Sequence, residues 1–282
     1  MTITPLNRIK TVQQICTDRM AECQEELTRR YAKSVRAIYG VNQRNKLYHI
    51  GSCVLIEYED SKYLITAAHV IDHLTDHKTT LYISGSEKLV ALSGESVITT
   101  RTDIRRKKDK FDFSVLMLSE KTLSSLTGLY FIPKSEWLLR DVPEATNIGL
   151  VVGYPNSQNK RYYGARRSVK STFFIYSSQF KKDIEIYETT GTHPTTHYLI
   201  DYSAKYSKNC YGVRVSSTHT KGVSGGALFT MPGFKNPDYY AVDRKCMGML
   251  TGILIEKPDQ QHVLIFTRLS EIIKAIPHID KT

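Results

Sequence analysis

From residue 48 onward, the apolar residues of this chain recur with a period of two, in short runs with no long helical pattern between them. SCVLIEY and KYLITAA, separated by Glu-Asp-Ser, read as a hairpin. TLYIS, KLVALS, DFSVLML, TNIGLVVG, SVKSTFFIYSS, HYLIDYS, GGALFT, MGMLTGILIE and HVLIFT follow, set apart by turn-rich or charged segments. Many short strands without helices between them speak against a parallel, helix-covered sheet and for antiparallel barrels or sandwiches. With 282 residues the chain can bury one large core or two small ones. Its 41% hydrophobic and 24% charged residues exclude a disordered or fibrous chain. No apolar run reaches the ~18–20 uncharged residues of a helical membrane span, so no membrane partner is expected.

The two ends follow a different period. Val12, Cys16, Met20, Cys23, Leu27, Tyr31, Val35 and Ile38 recur at steps of three and four. Asp18, Arg19, Glu22, Glu25, Glu26, Arg29 and Arg30 lie between them. This pattern predicts an amphipathic helix stopped by Gly40, its stripe packed on the following domain or on a partner. At the other end, Leu269, Ile272, Ile273 and Ile276 suit a short terminal helix. The opening MTITPLNRIK lacks the apolar stretch of a secretory signal. Five cysteines (Cys16, Cys23, Cys53, Cys210, Cys246) are an odd number with no C-x-x-C spacing. Together these predict a reduced, cytoplasmic chain.

Three segments carry chemistry. Leu64-Ile65-Thr66-Ala67-Ala68-His69-Val70 is a strand ending in two alanines and a histidine. Phe111-Asp112-Phe113-Ser114-Val115-Leu116-Met117-Leu118 sets an aspartate at the head of a buried strand. Lys221-Gly222-Val223-Ser224-Gly225-Gly226-Ala227 sets a serine among glycines. A serine hydroxyl is a poor nucleophile until a neutral imidazole removes its proton. A buried carboxylate enforces the required imidazole tautomer. Glycines around the serine free backbone N–H groups, here of Gly222 and Ser224, to face an oxyanion. Each motif alone has an ordinary reading as a turn or strand end. The three in this order, each at a strand end, point to acyl transfer by Ser224, His69 and Asp112.

With these motifs the chain resembles the trypsin-like, chymotrypsin-fold serine proteases from about residue 48 to 276. T-A-A-H, D-F-S-V-L-M-L and G-V-S-G-G match the family's three motifs. Thr251-Gly252-Ile253-Leu254-Ile255 and Ile265-Phe266-Thr267-Arg268-Leu269 resemble its last two strands. The resemblance implies two six-stranded antiparallel β-barrels with the triad in the cleft between them and no cofactor. The expected division is a helical extension over 1–45, a first barrel over 46–140 with His69 and Asp112, and a second over 141–282 with Ser224. Pro133–Pro143 is the candidate joint. The resemblance also implies a substrate pocket with Thr218 at its base, six residues before Ser224, and with Ile255, Glu256 and Leu264 around it. No carboxylate stands at that base, so cleavage after small or medium uncharged residues is expected. Similar small bacterial members act as effectors of anti-phage defence by cleaving a partner protein, which makes a protein substrate and a defence role expectations by analogy.

The sequence departs from the secreted digestive members at three places. Val70 stands where they carry a cysteine, and Val223 where they carry an aspartate that pairs with a freshly cut N-terminus. Ile255-Glu256-Lys257 replaces a small residue and glycine. Activation by that ion pair is therefore not available, and control is expected from the N-terminal helix or the loop 101–110 through a regulatory partner.

Other readings compete for some of these residues. His69, His73 and His77, with Asp72 and Asp76, have the spacing of metal ligands on a helix, but the triad claims His69 and no metal is expected. His193 and His197 share that spacing but flank a proline. Lys+Arg exceed Asp+Glu by 39 to 28, for a net charge of +11. A basic solvated surface accounts for this, and nucleic acid is the weaker alternative. The run 101–110 reads as a solvated loop, while 161–167 interleaves aromatics with arginines that could stack on bases. The main rival function is a non-catalytic, protease-like module that binds a partner protein or nucleic acid.

Overall fold

The computed structural model describes residues 11–42, 46–85, 88–100, 106, 109–142, 148–159, 171–203, 220–231, 248–256, 258 and 261–279. Helix α1 (Val12–Tyr31) leads into strand β1 (Val35–Val41). The helical period read through Val35 and Ile38 thus overshoots. Both residues belong to a strand that is fully buried at Val35, Ala37, Ile38 and Tyr39. A β-branched and aromatic run buried on both faces favours strand over helix.

The first sheet continues with β2 (Leu47–Tyr58), β3 (Ser61–Ala67), β4 (Tyr82–Ser84), β5 (Leu89–Ala91), β6 (Gly94–Ile98), β7 (Phe113–Leu118) and the short β8 (Ile132–Pro133). Its order is β5-β4-β1-β2-β3-β7-β6, with β8 alongside β2. The β2–β3 hairpin turns at Glu59 and Asp60, at φ 47° and 62°, the primed-turn geometry that suits two-residue hairpins. The second unit is a closed barrel of β9 (Ile148–Gly153), β10 (Phe174–Lys181), β11 (His197–Asp201), β12 (Ala227–Thr230), β13 (Met249–Glu256) and β14 (Val263–Arg268). The architecture is mainly β and consistent with the expected two-barrel fold: the second unit closes as a six-stranded barrel, while the first is an eight-stranded half-barrel sheet with β8 parallel to β2.

Short helices α2 (Ala68–Ile71), α3 (His73–Asp76), α4 (Glu120–Leu123), α5 (Ile184–Thr190) and α6 (Leu269–Ile273) decorate the sheets. The last is the predicted terminal helix. Sequence reading missed α5, although Asp183 caps its start and Gly191, at φ 66°, ends it.

One apolar core bridges the two units. Leu27 and Tyr31 of α1 join Val54 and Ile65 of the first sheet and Leu150, Phe229 and Leu250 of the second. Tyr31 stacks on Phe229 with ring centroids 4.2 Å apart, and Glu136 gathers Arg30, Tyr31 and Tyr130. The described end of the α1 stripe therefore packs on the following domain. In the expected joint, Trp137 bridges to Leu250 of β13.

Candidate active site

Strands β3 and β7 are antiparallel neighbours with Ala67 opposite Phe113. The residues just past the end of β3 and just before the start of β7 must therefore meet, and these are His69 and Asp112. The Asp112 carboxylate takes the His69 backbone amide at 2.9 Å and ring Nδ1 at 2.6 Å. Its carbonyl accepts the Ala68 amide at 2.9 Å. A carboxylate only accepts, so Nδ1 carries the proton and Nε2 is left with its lone pair. Asp112 is buried and the His69 side chain is 40% exposed, open on the cleft side. Burial pushes the His69 pKa down, but the hydrogen bond and charge of Asp112, aided by Asp72, outweigh it and hold the value above the usual histidine range.

Ser224 sits on a tight turn before β12, pressed against β2. Ser52 donates its amide to the Ser224 carbonyl at 2.7 Å and its hydroxyl to the Gly222 carbonyl at 3.0 Å. Asn156 donates its amide to Lys221 at 2.7 Å, and Gly225 donates to Leu254 at 2.7 Å. Gly222 and Gly225 have φ of 92° and 82°. A Cβ at Gly225 would lie 2.0 Å from the Ser52 carbonyl oxygen, and one at Gly222 would lie 2.8 Å from the His49 ring. Neither position accepts a side chain. Among the described residues, the amides of Gly222 and Ser224 meet no hydrogen-bond acceptor.

Sequence reasoning missed the groups behind this turn. His49 packs on Gly222 with Nδ1 2.8 Å from Asn156 Oδ1, and its Nε2 is buried without a hydrogen-bond partner among the described residues. Burial lowers its pKa to about 4, so the ring is neutral. Val223 is fully buried among the apolar residues of the second barrel. The turn is thus held by hydrogen bonds from β2 and by apolar burial, where the ion pair of other members would stand.

His69, Asp112 and Ser224 line one cleft of about 370 Å³, with Ile255, Glu256 and Ile265 on its second-barrel wall. No hydrogen bond joins Ser224 to His69; catalytic hydrogen bonds of this kind often tighten only when substrate is bound. Leu264 is not in the cleft. It is fully buried inside the second barrel, and Ile265 takes the wall position. A one-residue slip in the expected register reverses the face. Thr218, the loop 161–167, and residues 101–105, 107 and 108 lie outside the described residues.

The described part of the basic run departs from a solvated loop, because Arg106 is only 7% exposed. His73 and His77 pair with ring centroids 4.9 Å apart, but His69 is turned to Asp112. Among the described residues no group of three or more potential ligands is placed to hold a metal. His197 lies on β11, its Nε2 2.8 Å from the Lys110 carbonyl, apart from any ligand cluster. Cys53 is a free, buried thiol whose pKa burial raises to about 12.

Comparison with known proteins places this geometry. The family model Trypsin matches residues 27–276. Curated proteins give no sequence match. The fold is similar to that of an inactivated protease paralogue from the scabies mite, with 13% identity, a TM-score of 0.50, and coverage of 90% of this chain and 96% of that one. A tobacco vein mottling virus protease is more distant, at 11% identity and a TM-score of 0.42 over 95% of this chain and 84% of that one. Both sheets, the cleft and the turn bearing Ser224 fall within the matched span, and the chain belongs to the trypsin family.

Proposed function

We propose that the chain is a serine endopeptidase acting on protein substrates. Ser224 attacks the scissile carbonyl, His69 serves as general base and then general acid, and Asp112 orients His69. The amides of Gly222 and Ser224 stabilise the oxyanion. The observation that carries this reading is the 2.6 Å Nδ1–Asp112 hydrogen bond on a histidine that shares one cleft with Ser224. The chemistry calls on no cofactor. A role in bacterial defence, exercised in the cytoplasm on a partner protein, is supported by resemblance to small bacterial members alone.

A purely binding module is the other reading, and the mite paralogue is named as inactivated. Against it speaks the presence of all three polar groups, together with a turn whose Gly222 and Ser224 amides meet no acceptor among the described residues. Peptide-library profiling separates the two. We expect cleavage after small or medium uncharged residues. A dominant Lys or Arg preference would transfer charge reading to Glu256 on the cleft wall.

The pH profile is a second check. The active form needs neutral His69, whose pKa is raised. Activity should therefore be full at alkaline pH and fall as pH drops through a midpoint above the ordinary ~6.5. A rate flat through that region removes His69 as the base.

A further inference from the structure

Arg106 lies within a run that composition marks as solvated, yet its guanidinium is buried between two carboxylates. Nε and Nη2 donate to Asp72 at 2.6 and 2.9 Å, and Nη1 donates to Asp109 at 2.7 Å and to the Thr99 carbonyl at 2.7 Å. Asp72 closes α2, the helix that carries His69, by donating its amide to Ala68 at 3.1 Å. Asp109 accepts the Asp112 amide at 3.0 Å and the Phe111 amide at 3.2 Å, so it caps the turn that carries Asp112. The Thr99 hydroxyl donates to its other oxygen at 2.5 Å.

This turn needs holding. Asp112 has φ 39° and Arg106 has φ 51°, both in the left-handed region that side chains disfavour. Such residues persist only where their surroundings over-determine them. From the second barrel, Thr267 donates to the Phe111 carbonyl at 2.6 Å, and His197 Nε2 reaches the Lys110 carbonyl at 2.8 Å. From the first-sheet side, the Ala68 and His69 amides hold Asp112 directly, and Arg106 adds a second hold through Asp72 and Asp109.

We infer that Arg106 is a positioning residue for the His69–Asp112 pair, clamping the helix end that bears His69 to the turn that bears Asp112 through Asp72 and Asp109. The inference rests on the protease reading above for its effect on turnover, but the clamp itself is a matter of geometry. The planar fork grips both Asp72 oxygens with Nε and Nη2 while Nη1 reaches Asp109 and the Thr99 carbonyl, a spread that needs donors on separate nitrogens. An ammonium group, as a point charge, cannot reproduce it. The charged groups facing His69 are Asp112, Asp72, Arg106 and His73, with Asp109, Lys110 and Glu256 around the cleft.

The test uses the full chain as wild type, Arg106→Lys, Arg106→Gln and Asp72→Asn, with kcat and KM on one cleaved peptide. In parallel, NMR follows the His69 Nδ1 proton and the His69 titration. Arg106→Lys keeps the charge and loses the fork. It should lower kcat about 10–100-fold with KM nearly unchanged, because small misplacements of reacting groups are costly. The Nδ1 proton should move upfield and the His69 midpoint should fall, as the Asp112 bond loosens. If Arg106 acted through its field alone, Arg106→Lys would match wild type and Arg106→Gln would raise the midpoint. That result overturns the clamp. Should either Arg106 variant fail to fold, Asp72→Asn cuts only the α2 side and should still lower kcat and shift the Nδ1 proton. Wild-type values for Asp72→Asn also overturn the clamp. The NMR readouts need no turnover, so a chain that hydrolysed nothing would sink the protease reading while the His69 proton still decided the clamp.

Discussion

Ser224→Ala is expected to lower turnover by about 10⁴–10⁶-fold, because it removes the nucleophile itself. The fold should be unaffected. The contact that anchors the turn here is the Ser224 carbonyl, which accepts the Ser52 amide whatever the side chain. The neighbouring anchors, Ser52 to Gly222 and Gly225 to Leu254, are also untouched. KM and thermal stability should therefore stay near wild type while kcat collapses. His69→Ala should be comparably severe, since an unactivated hydroxyl is nearly inert. Steady-state kinetics with a melting curve on the same samples checks this, and wild-type turnover by Ser224→Ala would remove Ser224 from the mechanism.

A chain trimmed just before residue 48 should not fold at all. The trim removes α1 and with it Leu27 and Tyr31, which plug the core between the two units. It also removes β1, which sits between β4 and β2 in the sheet. Val35, Ile38 and Tyr39 are fully buried there. Burying such side chains stabilises by about 1.5–3 kcal/mol each. Five of them together rival the whole net stability of a typical domain, about 5–15 kcal/mol. Circular dichroism and a denaturant titration of the trimmed chain check this. A cooperative unfolding transition with native strand content would show that α1 and β1 are dispensable. The C-terminal end of α1 and the whole of β1 are thus part of the fold.

Much of this was legible in the residues because local pattern and global fold agree. The β2–β3 hairpin, the strands β9 to β14 and the terminal helix all follow from period, turn chemistry and burial acting in the same direction. The meeting of His69 and Asp112 follows too, since each sits at an adjoining end of two paired strands. Three things were not legible. Val35 and Ile38 continue the helical step from Tyr31 but also fit a strand buried on both faces, so period alone overran the helix. The wall position at Leu264 depends on loop lengths before β14, and a slip of one residue exchanges it for Ile265. The burial of Arg106 depends on Asp72, which is distant in sequence, so charge counting reads a solvated loop where the fold buries a fork. The groups behind the oxyanion turn, His49, Ser52 and Asn156, are equally non-local.

We propose that the uncut chain already carries a competent Ser224, with its turn held by Ser52, Asn156 and the buried Val223 rather than by a new N-terminal amine. The most direct test is to incubate the uncleaved chain, its N-terminus blocked by a tag, with a fluorophosphonate probe and to locate the adduct by mass spectrometry. One adduct is expected, on Ser224, lost in His69→Ala and fading as pH falls through the His69 midpoint. No adduct on Ser224, or one that appears only after cleavage exposes a required N-terminal amine, would contradict it.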